Sequence, residues 1–335
     1  MKAVHLLGNG RVEIAEYPLP QPQADQVLVK VVASGICGSE MHGFRGPEPL
    51  AMNQGHEVSG IVADPNGHPQ WEEGDRVGVF TLQGCGKCRW CRRGQDTFCA
   101  EVGGPSPTHA EYIVSRAHSL VKLPEDVSCS VAVLLCGDGL GVPFGATTRA
   151  GVQRGDVTCV FGCGPVGLGL VLVQAHLGAF PIAVEPIAHR RRLALKMGAW
   201  QTLDPTAEGN MVARLKELTD GIGPDQCFEA SGRQETLDWA LDATKPEGVI
   251  VQVGHGPQRL DPQRLIVRRN LTLMGNWVAH PGWFPQMLAL YRAGLDLERL
   301  ITLETSFENA PEAYRRLAEG QEGKVILRWD GGCCS

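Results

Sequence analysis

Four cysteines, Cys85, Cys88, Cys91 and Cys99, fall within one stretch of fifteen residues. Four soft thiolates at this spacing suit a closed tetrahedral Zn²⁺ site, which braces a loop and leaves no position open for a reacting group. An iron–sulfur cluster is the alternative, since clustered cysteines also ligate iron. A zinc-ribbon module for nucleic acid is disfavoured, because these cysteines interrupt a strand-rich stretch that carries a second metal pattern. That pattern is Gly35-Ile36-Cys37-Gly38-Ser39-Glu40-Met41-His42, followed by Gly55-His56-Glu57. Cys37 and His56 offer a thiolate and an imidazole, a pair that zinc prefers. A lone Cys or His is more often a core residue; glycine-flanked settings beside Ser39 and His42 favour ligands here.

A third motif has the form G-x-G-x-x-G. Gly162-Cys163-Gly164-Pro165-Val166-Gly167 follows the apolar run Val157-Thr158-Cys159-Val160-Phe161 and precedes another apolar stretch. In that context the first glycine permits a tight turn, the second admits a pyrophosphate against the backbone, and the third allows close helix packing. The helix start then offers free N–H groups to phosphate. Glu185 stands 23 residues after Gly162, at the end of the next strand, where a carboxylate binds the ribose hydroxyls of an adenosine. A carboxylate there repels a 2′-phosphate and favours NAD; Arg190, Arg191 and Arg192 lie close behind and keep NADP open. Ser231-Gly232, after Phe228-Glu229-Ala230, marks a second strand end at the rim of such a crevice. A glycine-rich turn with no ligand is the bland reading.

These residues need elements to position them, and at 335 residues the chain predicts two domains. The first part is strand-rich, with β-branched runs at 27–32, 58–62 and 75–80 bounded by Gly, Pro and Asp. From about residue 155, buried-strand runs alternate with helical stretches such as Arg190 to Gly198 and Met211 to Leu218, which implies a doubly wound parallel sheet. Gly323 to Arg328 reads as a strand without a sheet of its own, returning to the first domain. Hydrophobic content of 43% with 20% charged residues is ordinary for a globular protein. A net charge of −6 gives no reason to expect nucleic acid or an anionic membrane as partner. The N-terminus breaks into Gly8-Asn9-Gly10 too soon for a signal-peptide core. Val157 to Val184 lacks Asp, Glu, Lys and Arg, yet its glycines and proline order it as strand, turn, helix, strand rather than as a membrane span. Twelve cysteines in a chain read as cytoplasmic argue for metal rather than disulfides. Cys129, Cys136, Cys159, Cys163 and Cys227 sit in apolar surroundings, and Cys333 and Cys334 in a tail expected to be disordered.

In this order, the motifs resemble those of the medium-chain dehydrogenase/reductases, in particular the zinc-containing alcohol, sorbitol and threonine dehydrogenases, over essentially the whole chain. The resemblance implies an α/β protein: a GroES-like β-rich catalytic domain at 1–148 with a structural zinc lobe at about 84–100, a Rossmann NAD-binding domain at 149–278, and a return to the catalytic domain at 279–335. It places the active site in the cleft between domains. It implies two Zn²⁺ per chain, one structural and one catalytic. The family's third catalytic ligand, Cys, Asp or Glu, precedes the nucleotide motif by about two dozen residues. Asp138 lies 24 before Gly162 (162 − 138) and is favoured over Cys136, which lies 26 before. A charged residue in so apolar a stretch needs compensation, and a metal ion supplies it. Glu57 is then a group behind the metal or an occasional fourth ligand, and Glu40, where many relatives carry Asp, accepts a hydrogen bond from His56.

The activity implied is NAD-linked oxidation of a secondary alcohol or polyol to a ketone. The substrate hydroxyl is acidified at the open zinc position, Ser39 accepts the proton, the cofactor ribose and His42 pass it to solvent, and hydride goes to nicotinamide. An L-threonine 3-dehydrogenase or aminocyclitol dehydrogenase is the alternative within the class. A zinc-free quinone reductase would lack the Cys37–His56 pair, and a non-enzymatic nucleotide sensor would need no open metal position. Trp277, Trp283, Phe284, Phe144 and His280 line a pocket or belong to the core. A homotetramer, ahead of a dimer, is expected from relatives alone.

Overall fold

The computed structural model describes residues 1–105 and 107–329, so the Cys333–Cys334 tail lies outside the described residues. The chain divides into two compact units, one made of residues 1–141 with the chain from 278 onward, the other of residues 142–277. In chain order the first stretch forms β1 (Lys2–Gly8), β2 (Arg11–Glu16), β3 (Gln26–Ile36), the short helix α1 (Met41–Arg45), β4 (Glu57–Asp64), β5 (Arg76–Val79), β6 (Tyr112–Arg116), β7 (Leu120–Lys122) and α2 (Cys129–Cys136). Helix α3 (Asp138–Arg149) leads onward to β8 (Val157–Phe161), α4 (Pro165–His176), β9 (Phe180–Val184), α5 (Ala188–Lys196), β10 (Gln201–Leu203) and α6 (Met211–Glu217). There follow β11 (Gln226–Glu229), α7 (Gln234–Ala243), β12 (Val249–Gln252), α8 (Gln263–Ile266) and β13 (Thr272–Gly275). After these come α9 (Phe284–Arg292), β14 (Ile301–Ser306), α10 (Ala310–Ala318) and β15 (Lys324–Arg328).

In the first unit a seven-stranded sheet runs β14-β15-β3-β4-β5-β7, with β6 also paired to β3. The long strand β3 is apolar along almost its whole length because it is covered on both faces. β15 pairs antiparallel with β3, Val325 opposite Ile36 and Leu327 opposite Ser34, while Gly35 of β3 also faces Glu57 of β4. Late and early segments of the chain thus meet beside the two turns that carry Cys37 and His56. The core beneath includes Val29, Val31, Val58, Val77, Ile113, Tyr314 and Leu327. Helix α2, every residue of it buried, starts at an N-cap where Ser128 accepts the Val131 N–H at 3.1 Å. It stops at Gly137, against which Glu57 packs, and the next residue, Asp138, opens α3.

The second unit is a six-stranded parallel sheet in the order β10-β9-β8-β11-β12-β13. Its inner strands β8, β9, β11 and β12 are short and largely buried, as helices on both sides of a parallel sheet require, while the edge strands β10 and β13 are more exposed. The order reverses between β8 and β11, and a crevice beyond the carboxyl ends of such a pair is where doubly wound sheets bind ligands. Among the described residues, no single helix is long and apolar enough to cross a membrane.

Candidate functional site

Cys37 follows β3 and caps a single 3₁₀ turn at Gly38–Glu40, its N–H donating to Glu40 Oε1 at 2.8 Å. His56 immediately precedes β4. Its Nδ1 lies 3.0 Å from the Gln54 carbonyl, which can only accept, so Nδ1–H donates and Nε2 is the nitrogen turned to the cluster. Nε2 in turn stands 3.4 Å from Asp138 Oδ2. Ligand atoms of Cys37, His56, Glu57 and Asp138 all lie within 4.8 Å of one another. The set fits a zinc ion in donor chemistry, one sulfur, one imidazole nitrogen and carboxylate oxygen. Two further observations agree. Asp138 Oδ1 is buried with no hydrogen-bond partner among the described residues. Burial alone would lower the proton affinity of His56, yet hydrogen bonds to Asp138 and Cys37 raise it well above the ordinary histidine range. Cys136 stands apart: it is fully buried against Gly78, and burial raises its thiol far above the usual range.

Glu57 is wholly buried and forms an ion pair with Lys324, itself buried at the start of β15. Its other oxygen accepts the Asp138 N–H at 2.9 Å. Burial pushes the Glu57 carboxyl upward in spite of Lys324. Gly35 has no room for a side chain, because a Cβ there would lie 2.7 Å from Glu57 Oε2 and 2.9 Å from Lys324 Cε. Lys324 escaped sequence reasoning; the signal was a lysine placed directly before the apolar run Val325-Ile326-Leu327.

Glu40 corrects an expectation. It does not accept from His56, whose Nδ1 is committed to Gln54. Instead its longer side chain reaches His109 Nε2 at 3.1 Å and the Tyr314 hydroxyl at 2.6 Å. Burial works against its charge, but His109, His56 and the Cys37 N–H more than offset this and hold the carboxyl down at about 2. Ser39 is exposed on the turn that follows Cys37, and His42 is exposed on α1 just beyond it.

In the lobe, the sulfurs of Cys85, Cys88, Cys91 and Cys99 lie within 4.8 Å of one another, and none is in a disulfide. Cys99 Sγ accepts the N–H groups of Cys85 and Glu101, both at 3.3 Å, as a metal-bound thiolate would. The lobe is pinned by buried Asp96, which accepts from Gly84 N at 2.9 Å and faces His118 Nε2 at 3.2 Å. An aromatic file continues from Trp90 through Phe98 and His280 to Trp283, with ring separations of 5.4, 5.2 and 4.3 Å. Phe284 packs on Phe80, Phe144 is buried, and Trp277 is largely exposed.

In the second unit, Gly162 leaves β8 at φ +92°, and Pro165 opens α4 behind its N-cap Gly164. Two glycines differ in what they permit. A Cβ at Gly167 would collide with the Gly162 carbonyl, whereas at Gly164 nothing lies within 4 Å, leaving a cradle that a phosphate can enter. Val166 lies half-buried in the first turn of α4, and Arg190 half-buried on α5. Glu185 accepts from Cys163 N at 2.8 Å and Ile187 N at 3.0 Å, which fixes it beside the glycine turn. Arg191 pairs with Asp204 at 2.8 Å and donates to the Glu185 carbonyl at 2.6 Å. Ser231 lies across from Gly162, where a Cβ would be 3.1 Å from its own. The Ser231 hydroxyl is committed to Glu229, 2.6 Å away, so this side chain is held within the strand end. Glu229, missed in the sequence, also takes the Ser231 and Gly232 N–H groups and the amides of Gln252 and Gln258.

Comparison with known proteins gives these sites a context. Residues 23–125 match the family model of the alcohol dehydrogenase GroES-like domain, and residues 165–293 that of the zinc-binding dehydrogenases. The chain is 34% identical to the L-threonine 3-dehydrogenase of Pyrococcus abyssi (strain GE5 / Orsay), covering 94% of each chain. It is 30% identical to the D-arabitol-phosphate dehydrogenase of Enterococcus avium, covering 98% of this chain and 97% of that one. Among solved structures, the alcohol dehydrogenase TADH from Thermus sp. ATN1 superposes with a TM-score of 0.88 at 29% identity, over 98% of this chain and 100% of that one. With a GroES-like domain, a parallel nucleotide-type sheet and relatives aligned from end to end, the chain belongs to the zinc-dependent alcohol and polyol dehydrogenases of the medium-chain family.

Proposed function

We propose that this enzyme oxidises a secondary alcohol or polyol to a ketone with NAD, at a catalytic zinc held by Cys37, His56 and Asp138. The observation that carries the reading is the convergence of those three side chains around the unpartnered Asp138 oxygen. Zinc, when bound, supplies Lewis acidity that makes a substrate hydroxyl easier to deprotonate. Ser39, two residues beyond the Cys37 ligand, would accept that proton on its Oγ while releasing its own hydroxyl proton by way of the cofactor ribose and exposed His42 to solvent. Glu57 stays with Lys324 as a charge behind the site and is the candidate for an occasional fourth ligand. Cys85, Cys88, Cys91 and Cys99 hold a structural zinc.

The N–H groups of Gly164, Val166 and Gly167 at the start of α4 flank the pyrophosphate, with Pro165, which has no N–H, setting the first turn between them. Glu185 selects NAD over NADP, because its carboxylate repels a 2′-phosphate, with Arg190 and the strand end at Ser231 and Gly232 completing the cofactor set. The nicotinamide accepts the hydride. A cytoplasmic homotetramer follows the resemblance to relatives.

A second reading is an L-threonine 3-dehydrogenase, favoured by the name of the Pyrococcus relative. A panel of polyols, butanediols, cyclitols, amino alcohols and L-threonine, each with NAD and with NADP, separates the two by reduced cofactor formed. Cys37→Ser should lower turnover at least about a hundredfold and remove one of two zinc ions per chain while the protein stays folded. Retained turnover would take Cys37 out of the chemistry.

A further inference from the structure

The turns bearing Cys37 and His56 are separate in sequence, and one buried ring touches both. His109 is fully buried, with Nε2 3.1 Å from Glu40 Oε2, and Glu40 in turn takes the Cys37 N–H at 2.8 Å. On its other side the ring occupies the space that a side chain at Gly55 would need. A Cβ there would lie 2.7 Å from His109 Cδ2 and 2.8 Å from Nε2. Asn53 completes the connection. Its Oδ1 accepts from Gly55 N at 3.1 Å and His109 N at 3.2 Å, and its amide donates to the His109 carbonyl at 3.0 Å. Gly55 is the neighbour of His56.

Donor inventory gives these bonds one direction. The indole of Trp329 can only donate, so Ser34 Oγ accepts from it at 2.9 Å and has its own hydrogen left for His109 Nδ1, 2.8 Å away. Ionised Glu40 can only accept, so His109 Nε2 carries the hydrogen between them, and the Tyr314 hydroxyl donates to the same carboxylate at 2.6 Å. Ser34, Glu40, His109, Tyr314 and Trp329 are all nearly or wholly buried, which makes each unmade bond expensive.

We propose that His109 is the positioning residue of the metal centre, tying the Cys37 turn to the His56 turn and thereby setting how firmly Cys37, His56 and Asp138 hold their ion. The inference rests on the metal reading above and adds the group that keeps its ligands in register. Tyr314 on α10 and Trp329 beyond β15 bring the late chain segment into the same brace.

The test compares the wild-type holoenzyme with His109→Phe, His109→Gln and Tyr314→Phe. Zinc release to a chelator is followed alongside the visible spectrum of the cobalt-substituted proteins, which separates a four-thiolate site from a mixed one. His109→Phe keeps the ring volume and loses the bonds; it should release the mixed-site metal about 10–100-fold faster and shift its cobalt bands, with the four-thiolate metal unchanged. His109→Gln restores a donor towards Glu40 and should bring release back to within about threefold of wild type. Tyr314→Phe removes one bond and should move both readouts the same way by about threefold, which carries the test should His109→Phe not fold. Wild-type release and spectrum in both Phe variants would overturn the proposal, as would a His109→Gln variant no better than His109→Phe. A wild-type chain holding metal at the four cysteines alone would instead remove the metal reading, and this inference with it.

Discussion

Glu40 is a charge enclosed by protein, and the energy of that arrangement depends on pH in a known direction. Its folded carboxyl sits at about 2, against an ordinary glutamate value of about 4.3 in the unfolded chain. A depressed acid contributes stability that is complete above the unfolded value and disappears as pH falls through the folded one. Glu40→Gln should therefore cost on the order of 3 kcal/mol at pH 7, and the gap from wild type should close as pH falls from about 4.3 towards 2. Denaturant titrations of both proteins across that window measure it; a gap independent of pH would mean that Glu40 acts through shape and not charge. The residue scale is also where sequence reading was most and least informative. Cys37, His56 and the lobe cysteines stood out because few roles other than ligation call for thiols and imidazole at such spacings. The partner of Glu40 was misjudged because His109 and Tyr314 lie 69 and 274 residues away in the chain, and local spacing carries no trace of such a bond.

At the scale of elements, the glycine motif separates into two physical jobs. Gly167 is glycine because the helix start passes the Gly162 carbonyl too closely for a methyl group. Gly164 has open space and an extended backbone that any residue can adopt, so neither packing nor backbone strain calls for glycine there. Gly167→Ala should lose about 1–3 kcal/mol of stability, as overpacking does, and weaken cofactor as a consequence. Gly164→Ala should melt like the wild type yet bind NADH at least about tenfold more weakly, the loss of a contact worth roughly 1.4 kcal/mol. NADH fluorescence titration and thermal melts of the two variants test the pair; an unchanged NADH affinity in Gly164→Ala would detach the motif from the cofactor. The strand–turn–helix context was legible because β8 and α4 are apolar on both sides of the turn, as a buried parallel strand and its helix must be. Boundaries were less so. The helix expected at Arg190 to Gly198 runs Ala188–Lys196, since its end is set by chain reversal at Gly198, φ +100°, rather than by apolar spacing.

Across the whole molecule, the first unit is built from both early and late chain segments, and its most consequential joint is charged. β15 enters the sheet beside β3 and brings Lys324 to Glu57, two residues that share almost no solvent. The orphan strand at 323–328 announced a return in the sequence, but its counter-ion did not, because pairing across a sheet depends on register that only the folded sheet defines. A buried ion pair is weak as a source of net stability, yet removing one member strands the other in a medium that solvates it poorly. Lys324→Met should accordingly cost about 3–5 kcal/mol at neutral pH. Without Lys324 the folded Glu57 carboxyl rises further above its unfolded value, so the folded state prefers it protonated. That preference leaves stability intact below the unfolded value and erodes it as pH climbs through the folded one. The defect of Lys324→Met should therefore be smaller at pH 5 than at pH 8, about the reverse of the trend at Glu40. Adding Glu57→Gln removes the stranded charge and should return most of the loss. Denaturant unfolding of the zinc-loaded proteins at both pH values decides the matter. If the single variant is as stable as wild type at pH 8, or the double variant is no better than the single, the two chain segments are joined by packing alone and the charges are incidental.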